Sequence, residues 1–313
     1  MDMPNDSNHV KDIRDRYLPT IHRLFERAFE TNPFEALCSV LRVGGMSDEG
    51  WDPFEESRKA FDDFNWLLDK SITERNGACS RRISLLMYCH AVEMTAVHEI
   101  IANCLRCLLN EQYIIDPFQH LSRKNKKKIF SYIPSSAKNK FKFIKELASK
   151  AKESQLGEDI DSFFDENIRN AFSHSDYIFS DDSFRFRGGR LACQMGFDEL
   201  DKKITGCFGF YGAFMYLHRQ WLKELTKTKK YHKWQRYQVL EILSSEKEGV
   251  YGFNVHFSNG SKSTYVRRAS GIKAINLRFD KNGHIAYFCG DLDALEPVWK
   301  IDGNQVVDWD LLP

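Results

Sequence analysis

From Val10 to Phe29, apolar residues recur at Ile13, Tyr17, Ile21, Leu24, Phe25 and Ala28, the spacing of one face of an α-helix. That period governs the chain to about residue 228 and then gives way to strand-like patterning. The sequence therefore specifies a mainly α protein with a small C-terminal β-rich module. Pro53 opens a second helix through Phe54, Phe61, Phe64, Leu67 and Leu68. A single long helix is expected from about Arg81 to Asn110, striped by Leu85, Leu86, Cys89, Val92, Ala96, Ile100, Cys104 and Leu108. Two basic helices follow near 122–131 and 138–152, separated by Pro134 and a serine pair. Another helix is expected from Gly157 to His174, carrying Ile160, Phe163, Phe164, Ile168, Ala171 and Phe172. Tyr177–Ser180 and Phe184–Arg187 flank an Asp-Asp-Ser turn, a short β-hairpin. The last long helix runs from about Asp198 to Thr226.

From about Val250 the pattern reads as hairpins. Asn259-Gly260 is a two-residue turn signal, Asp280–Gly283 a second, and residues 298–309 form a third hairpin-like unit. The polar stretch 226–235 divides a helical domain, 1–230, from the β-rich module, 231–313. The first 75 residues are additional helices of the former.

Composition excludes several classes. Forty-two per cent of residues are hydrophobic and 28% charged, enough for a substantial core, and the formal net charge of +1 marks no partner. Eight cysteines lie mostly in apolar segments without paired zinc-ligand spacing, so they are expected to be reduced and buried, which implies the cytoplasm. The lone pair Cys104 and Cys107 is expected to pack in the core. His90 and His98 do not have metal-ligand spacing. The polar N-terminus has no apolar leader, and no run approaches the roughly 20 apolar residues of a membrane span. No phosphate-binding glycine loop or nucleophilic triad pattern is present.

Chemistry concentrates in residues 166–177, where Arg169 is followed by Asn170 and, four residues later, by His174. On a helix Asn170 and His174 share a face, with Arg169 about 100° round on its flank. The carbonyl end of the helix favours a cationic imidazole. Glu93 falls within the apolar stripe of the long helix, where a carboxylate is costly unless it is partnered. Residues 123–152 hold eleven basic side chains against Glu146 alone, interleaved with Phe130, Tyr132, Phe141 and Phe143. Such a tract suits a phosphate backbone and equally a solvated face.

The Arg-polar-x3-His motif at the end of a helix, followed by a short hairpin and a long helix, resembles the HEPN superfamily over about residues 80–228. The resemblance implies a HEPN-type helical bundle and a ribonuclease needing no metal and no cofactor, its cleft shared by the two copies of a homodimer. His174 would be the general base and Arg169 the phosphate stabiliser, with Asn170 orienting phosphate or imidazole. Glu93, Asp176 and Tyr177 would support them. Arg123, Lys124, Lys126, Lys127, Lys128, Lys138, Lys140 and Lys142 would form the RNA track. RNA, a second copy of the chain and a regulatory protein are the implied partners, with no membrane, and a toxin or defence effector is the implied role. Some HEPN toxins carry a modifiable Tyr two residues after the His; here Asp176 stands there and Tyr177 follows, so that regulation is not implied. The residues also allow a non-catalytic HEPN scaffold, a nucleotide sensor, or a plain structural pairing of Arg169 with Glu166 or Asp165.

Overall fold

The computed structural model describes residues 7–42, 53–114, 116–121, 123–124, 132–133, 135–188, 191–225 and 227, and β-strand residues between 230 and 288. The helices are α1 (Ser7–Thr31), α2 (Pro33–Leu41), α3 (Pro53–Thr73), α4 (Gly77–Val92), α5 (Thr95–Leu108), α6 (Ala137–Lys150), α7 (Ser154–Phe163), α8 (Glu166–Ser173) and α9 (Phe197–Leu225). Strands β1 (Arg123–Lys124) and β2 (Tyr132–Ile133) pair, and β3 (Tyr177–Phe179), β4 (Ser183–Gly188) and β5 (Leu191–Gly196) form a three-stranded sheet. The described chain is thus mainly helical with small antiparallel sheets. None of its helices is long and apolar enough to cross a membrane.

The chain divides into two compact units. The first comprises Met1–Leu24, Pro53–His98 and Phe118–Leu217. Its core is aromatic: Phe163 meets Phe210 at 5.0 Å, Phe141 at 6.0 Å and Tyr211 at 6.2 Å between ring centroids. All four are fully buried or nearly so. Small residues let α9 approach this core. A Cβ on Gly209 would lie 2.9 Å from the carbonyl oxygen of Ile13, so only glycine permits that approach to α1.

Three expected elements differ. The long helix over 81–110 is broken at Glu93–Met94: Glu93 and Met94 donate to the carbonyls of His90 and Ala91 in tight i→i+3 fashion, and the Thr95 hydroxyl donates to the Glu93 carbonyl. The helix expected from Gly157 to His174 is two helices, because Phe164 is extended and Asp165 caps a new start. The first basic helix, expected over 122–131, is replaced at its start by a strand, where Arg123–Lys124 pairs with Tyr132–Ile133. Pro134 disfavours helical backbone at Ile133, and tyrosine and isoleucine suit strands. Lys126, Lys127 and Lys128 lie outside the described residues.

The second unit comprises Phe25–Asp52, Glu99–Pro117 and His218–Pro313. It contains α2, a helix not expected from the sequence, capped by the Asn32 side chain on the Glu35 amide and opened by Pro33. Phe29 stacks on Trp221 at 5.0 Å, and the buried Glu35 carboxylate accepts from the Tyr113 amide at 2.7 Å. Cys107 donates to the Ala28 carbonyl, and both it and Cys104 are buried and free. Here β6 (Lys230–Trp234), β7 (Tyr237–Ser245), β8 (Gly249–Phe257), β9 (Lys262–Arg268) and β10 (Gly271–Ala274) form one antiparallel sheet in consecutive order, and β11 (Leu277–Phe279) pairs with β12 (Ile285–Phe288). His256 and Lys262 pair on either side of Asn259-Gly260. That turn, Asp280–Gly283, and the third hairpin-like unit at 298–309 lie outside the described residues.

A buried histidine gives the first unit a pH response. The His98 Nε2 sits 2.9 Å from the Tyr211 hydroxyl, and its Nδ1 has no partner among the described residues. Burial pushes the imidazole down to about 3, and the Lys140 ammonium adds to that push. An unfolded imidazole titrates near 6.5, so below about pH 6.5 the unfolded chain takes up a proton that the folded one refuses. Stability from this group is complete above that pH and falls as pH drops towards 3, by roughly one kcal/mol or slightly more per pH unit. His98→Gln is expected to flatten this loss between about pH 7 and pH 5 in urea denaturation. Equal losses in both proteins would exclude His98 as the responsible group.

Candidate functional site

Helix α8 is held at both ends by groups distant in sequence or unusual in backbone. At its start the Tyr88 hydroxyl accepts from the Asp165 amide at 2.8 Å and faces the carbonyls of Phe163 and Asp165 at 3.2 and 3.3 Å. It thereby supplies partners to backbone groups freed by the α7–α8 break. The Asp165 carboxylate caps the helix by accepting from the Asn167 amide at 2.7 Å. At its end the His174 amide donates to the Asn170 carbonyl, Ser175 to Phe172 and Asp176 to Ala171. This is a Schellman closure with Ser175 in the left-handed region at φ 54°, where glycine is usual. The reversal leaves His174 exposed at the helix end.

Glu93, at the end of α4, reaches Arg169. The Arg169 Nε and Nη2 each lie 2.8 Å from the same Glu93 carboxylate oxygen, and Nη1 donates to the Asn170 side-chain oxygen at 3.0 Å. The pair is about one-third exposed, 31% for the arginine side chain and 38% for the carboxylate, so solvent or a ligand can reach it. A guanidinium has five N–H groups, and these contacts occupy three. Two remain for a tetrahedral oxyanion. His174 has no side-chain partner among the described residues.

The pairing with Glu166 or Asp165 that the sequence allowed for Arg169 is not formed, since Glu166 bonds Lys138 at 2.7 Å. Cys89, one helical turn before Glu93, faces the Arg169 carbonyl at 3.9 Å. Burial, with the Glu93 carboxylate adding, pushes its thiol up to about 12, so it packs rather than reacts. Asp176 lies 3.6 Å from the Arg187 Nε, and Tyr177 stacks on Phe172 with centroids 5.7 Å apart. Neither makes a hydrogen bond or ion pair with the side chains of Arg169, Asn170 or His174 among the described residues.

The expected basic track is thinned. Lys140 is buried, its ammonium 2.6 Å from the Thr95 hydroxyl, and is corrected from an RNA contact to a core group because its charge points inward. Lys138 is engaged by Glu166, whereas Lys142 is exposed. Arg123 and Lys124 lie on the short strand β1. Sequence reasoning did not identify Tyr88 or Ser175; the former acts over 77 residues and the latter occupies a glycine conformation without being glycine.

Comparison with protein-family models, with curated proteins and with solved structures finds no match for this chain.

Proposed function

We propose that the chain is an endoribonuclease of HEPN type, acting without a metal at a cleft shared by two copies. The observation that carries this reading is the one-third-exposed Glu93–Arg169–Asn170 cluster with the exposed imidazole of His174 one turn away at the end of the same short helix. His174 removes the ribose 2′-OH proton. The 2′-oxygen then attacks phosphorus, and the bond to the 5′-oxygen breaks. Arg169 stabilises the charge developing on the non-bridging oxygens through its two remaining N–H groups, while Glu93 fixes its plane. An imidazolium, on the same or the second copy, returns a proton to the 5′-oxygen. The products are a 2′,3′-cyclic phosphate and a 5′-hydroxyl, and DNA is not a substrate because it lacks the 2′-OH.

The same ion pair supports a second reading. Arg169 joins α4 to α8, which suits a non-catalytic bundle used as a dimeric scaffold. Incubation of single-stranded RNA and DNA with excess EDTA separates the two. Cleavage of RNA alone, unchanged by EDTA and ending in cyclic phosphate, is expected. Loss of activity in EDTA or equal cutting of DNA would overturn the mechanism, and no cleavage at all would leave the scaffold.

A further inference from the structure

The three-stranded sheet that follows the motif has two unlike faces. Register places Tyr177, Phe186 and Cys193 in one cross-strand row and Phe179, Phe184 and Met195 in the next. These are buried or half-buried and form the sheet's inner side. The opposite rows are Ile178, Arg185 and Gln194, then Arg187 and Ala192. Both arginines are exposed, and Ile178 is 57% exposed although large and apolar. This outer face therefore pairs an apolar surface with two cations two residues apart, about 7 Å along a strand.

The face is tied to His174. Asp176, two residues on, accepts from the Arg187 amide at 3.4 Å, and its carboxylate lies 3.6 Å from the Arg187 Nε. Both side chains of that pair are at least half exposed, 66% and 50%. Such a pair contributes little, and a phosphate can replace the carboxylate as the partner of Arg187. Meanwhile Lys138 and Lys140 of the lysine-rich tract are occupied. Charge complementarity and chain continuity with His174 both point to this face as the route of the substrate.

We propose that the outer face of the β3–β4–β5 sheet binds single-stranded RNA next to His174, Arg185 and Arg187 each taking a phosphate and Ile178 offering apolar contact to a base. The inference rests on the ribonuclease reading. Arginine suits this role because its planar fork binds phosphate oxygens in pairs. Asp176 then tunes affinity by competing for Arg187, and is not a catalytic residue.

The test uses the full chain and a fluorescein-labelled single-stranded RNA. Binding is followed by anisotropy across a salt series in the His174→Ala background, and cleavage is followed with His174 present. Arg185→Ala with Arg187→Ala is expected to reduce the slope of log affinity against log salt by up to about 1.4, about 0.7 per lost phosphate contact. It should raise KM and leave kcat near that of the parent protein. Replacing both arginines with lysine should retain most of the slope, and Arg185→Gln with Arg187→Gln, which removes the charge but keeps a long polar side chain, stands in for the alanine pair if that pair fails to fold. Asp176→Asn should tighten binding. An unchanged slope and KM in the alanine pair, in a parent protein that binds and cleaves RNA, would overturn this route and leave the ribonuclease reading intact. A parent protein that neither binds nor cleaves RNA would overturn both.

Discussion

His174→Ala is expected to lower the single-turnover rate of RNA cleavage by about 10²–10⁴, the range spanned by a positioned general base. Arg169→Ala is expected to lose on the order of 10²–10³, as when one donor to a developing oxyanion is removed. The double variant should lose little more than the worse single one, because both act on one transition state. Folding should survive. His174 is exposed and without a side-chain partner among the described residues, and the Glu93 carboxylate left by Arg169→Ala is 38% exposed and can be solvated. Glu93→Gln should fall between these variants and the parent protein, since an amide oxygen still accepts from Arg169 but no longer as a carboxylate. Wild-type turnover in either alanine variant would sink the assignment. Loss of the fold in both, with retained RNA binding in neither, would mark the cluster as a brace between α4 and α8.

How much of this was legible depended on whether the deciding interaction was local. The stripes of α1 and α9 were readable because each buries one face along its own length, whereas on α3 only Phe54, Phe61 and Leu68 of the expected stripe are buried and Leu67 is left 41% exposed. Glu93 was readable as an anomaly, a carboxylate in an apolar stripe, and its contact with Arg169 answers that anomaly. The two helix breaks were not readable. Phe164–Asp165 contains neither proline nor glycine, and a partner for its freed backbone comes from Tyr88, 77 residues away. At Glu93–Met94 the apolar pattern continues across the interruption. Helix α2 announced itself locally through Asn32, Pro33 and Glu35, but residues 34–41 are all buried, so it shows no polar face to give a period. Lys140 illustrates a limit of charge reading: its neighbours in sequence are exposed lysines, and only packing against Thr95 and Phe118 reveals that it points inward. The arginines of β4 escaped notice because two charges in a hairpin are unremarkable until register puts both on the outer face.

The other large effect expected is on stability. Phe163→Ala should destabilise the folded chain by about 3–5 kcal/mol, as for truncation of a fully buried phenylalanine. The upper part of that range is favoured by what surrounds the ring. Phe141, Phe210 and Tyr211 meet it from α6 and α9, and each is itself fully buried, so none can swing in without opening a second void. On the α9 side, Gly206 already approaches so closely that a Cβ there would lie 3.2 Å from the Phe163 Cβ, which means the backbones are near their limit and cannot close further. The lesion also sits at the end of α7, where the Tyr88 hydroxyl faces the Phe163 carbonyl at the junction with α8. Loosening this joint should therefore displace the helix that carries Arg169 and His174, and RNA cleavage should fall in the fraction that remains folded. Urea denaturation gives the first quantity and single-turnover cleavage well below the midpoint gives the second. A loss below about 1 kcal/mol would mean that the cavity refills, contrary to the rigid packing argued from these four rings. A full loss of stability with an unchanged rate in the folded fraction would show that α8 is positioned by Tyr88, Asp165 and Glu93 alone.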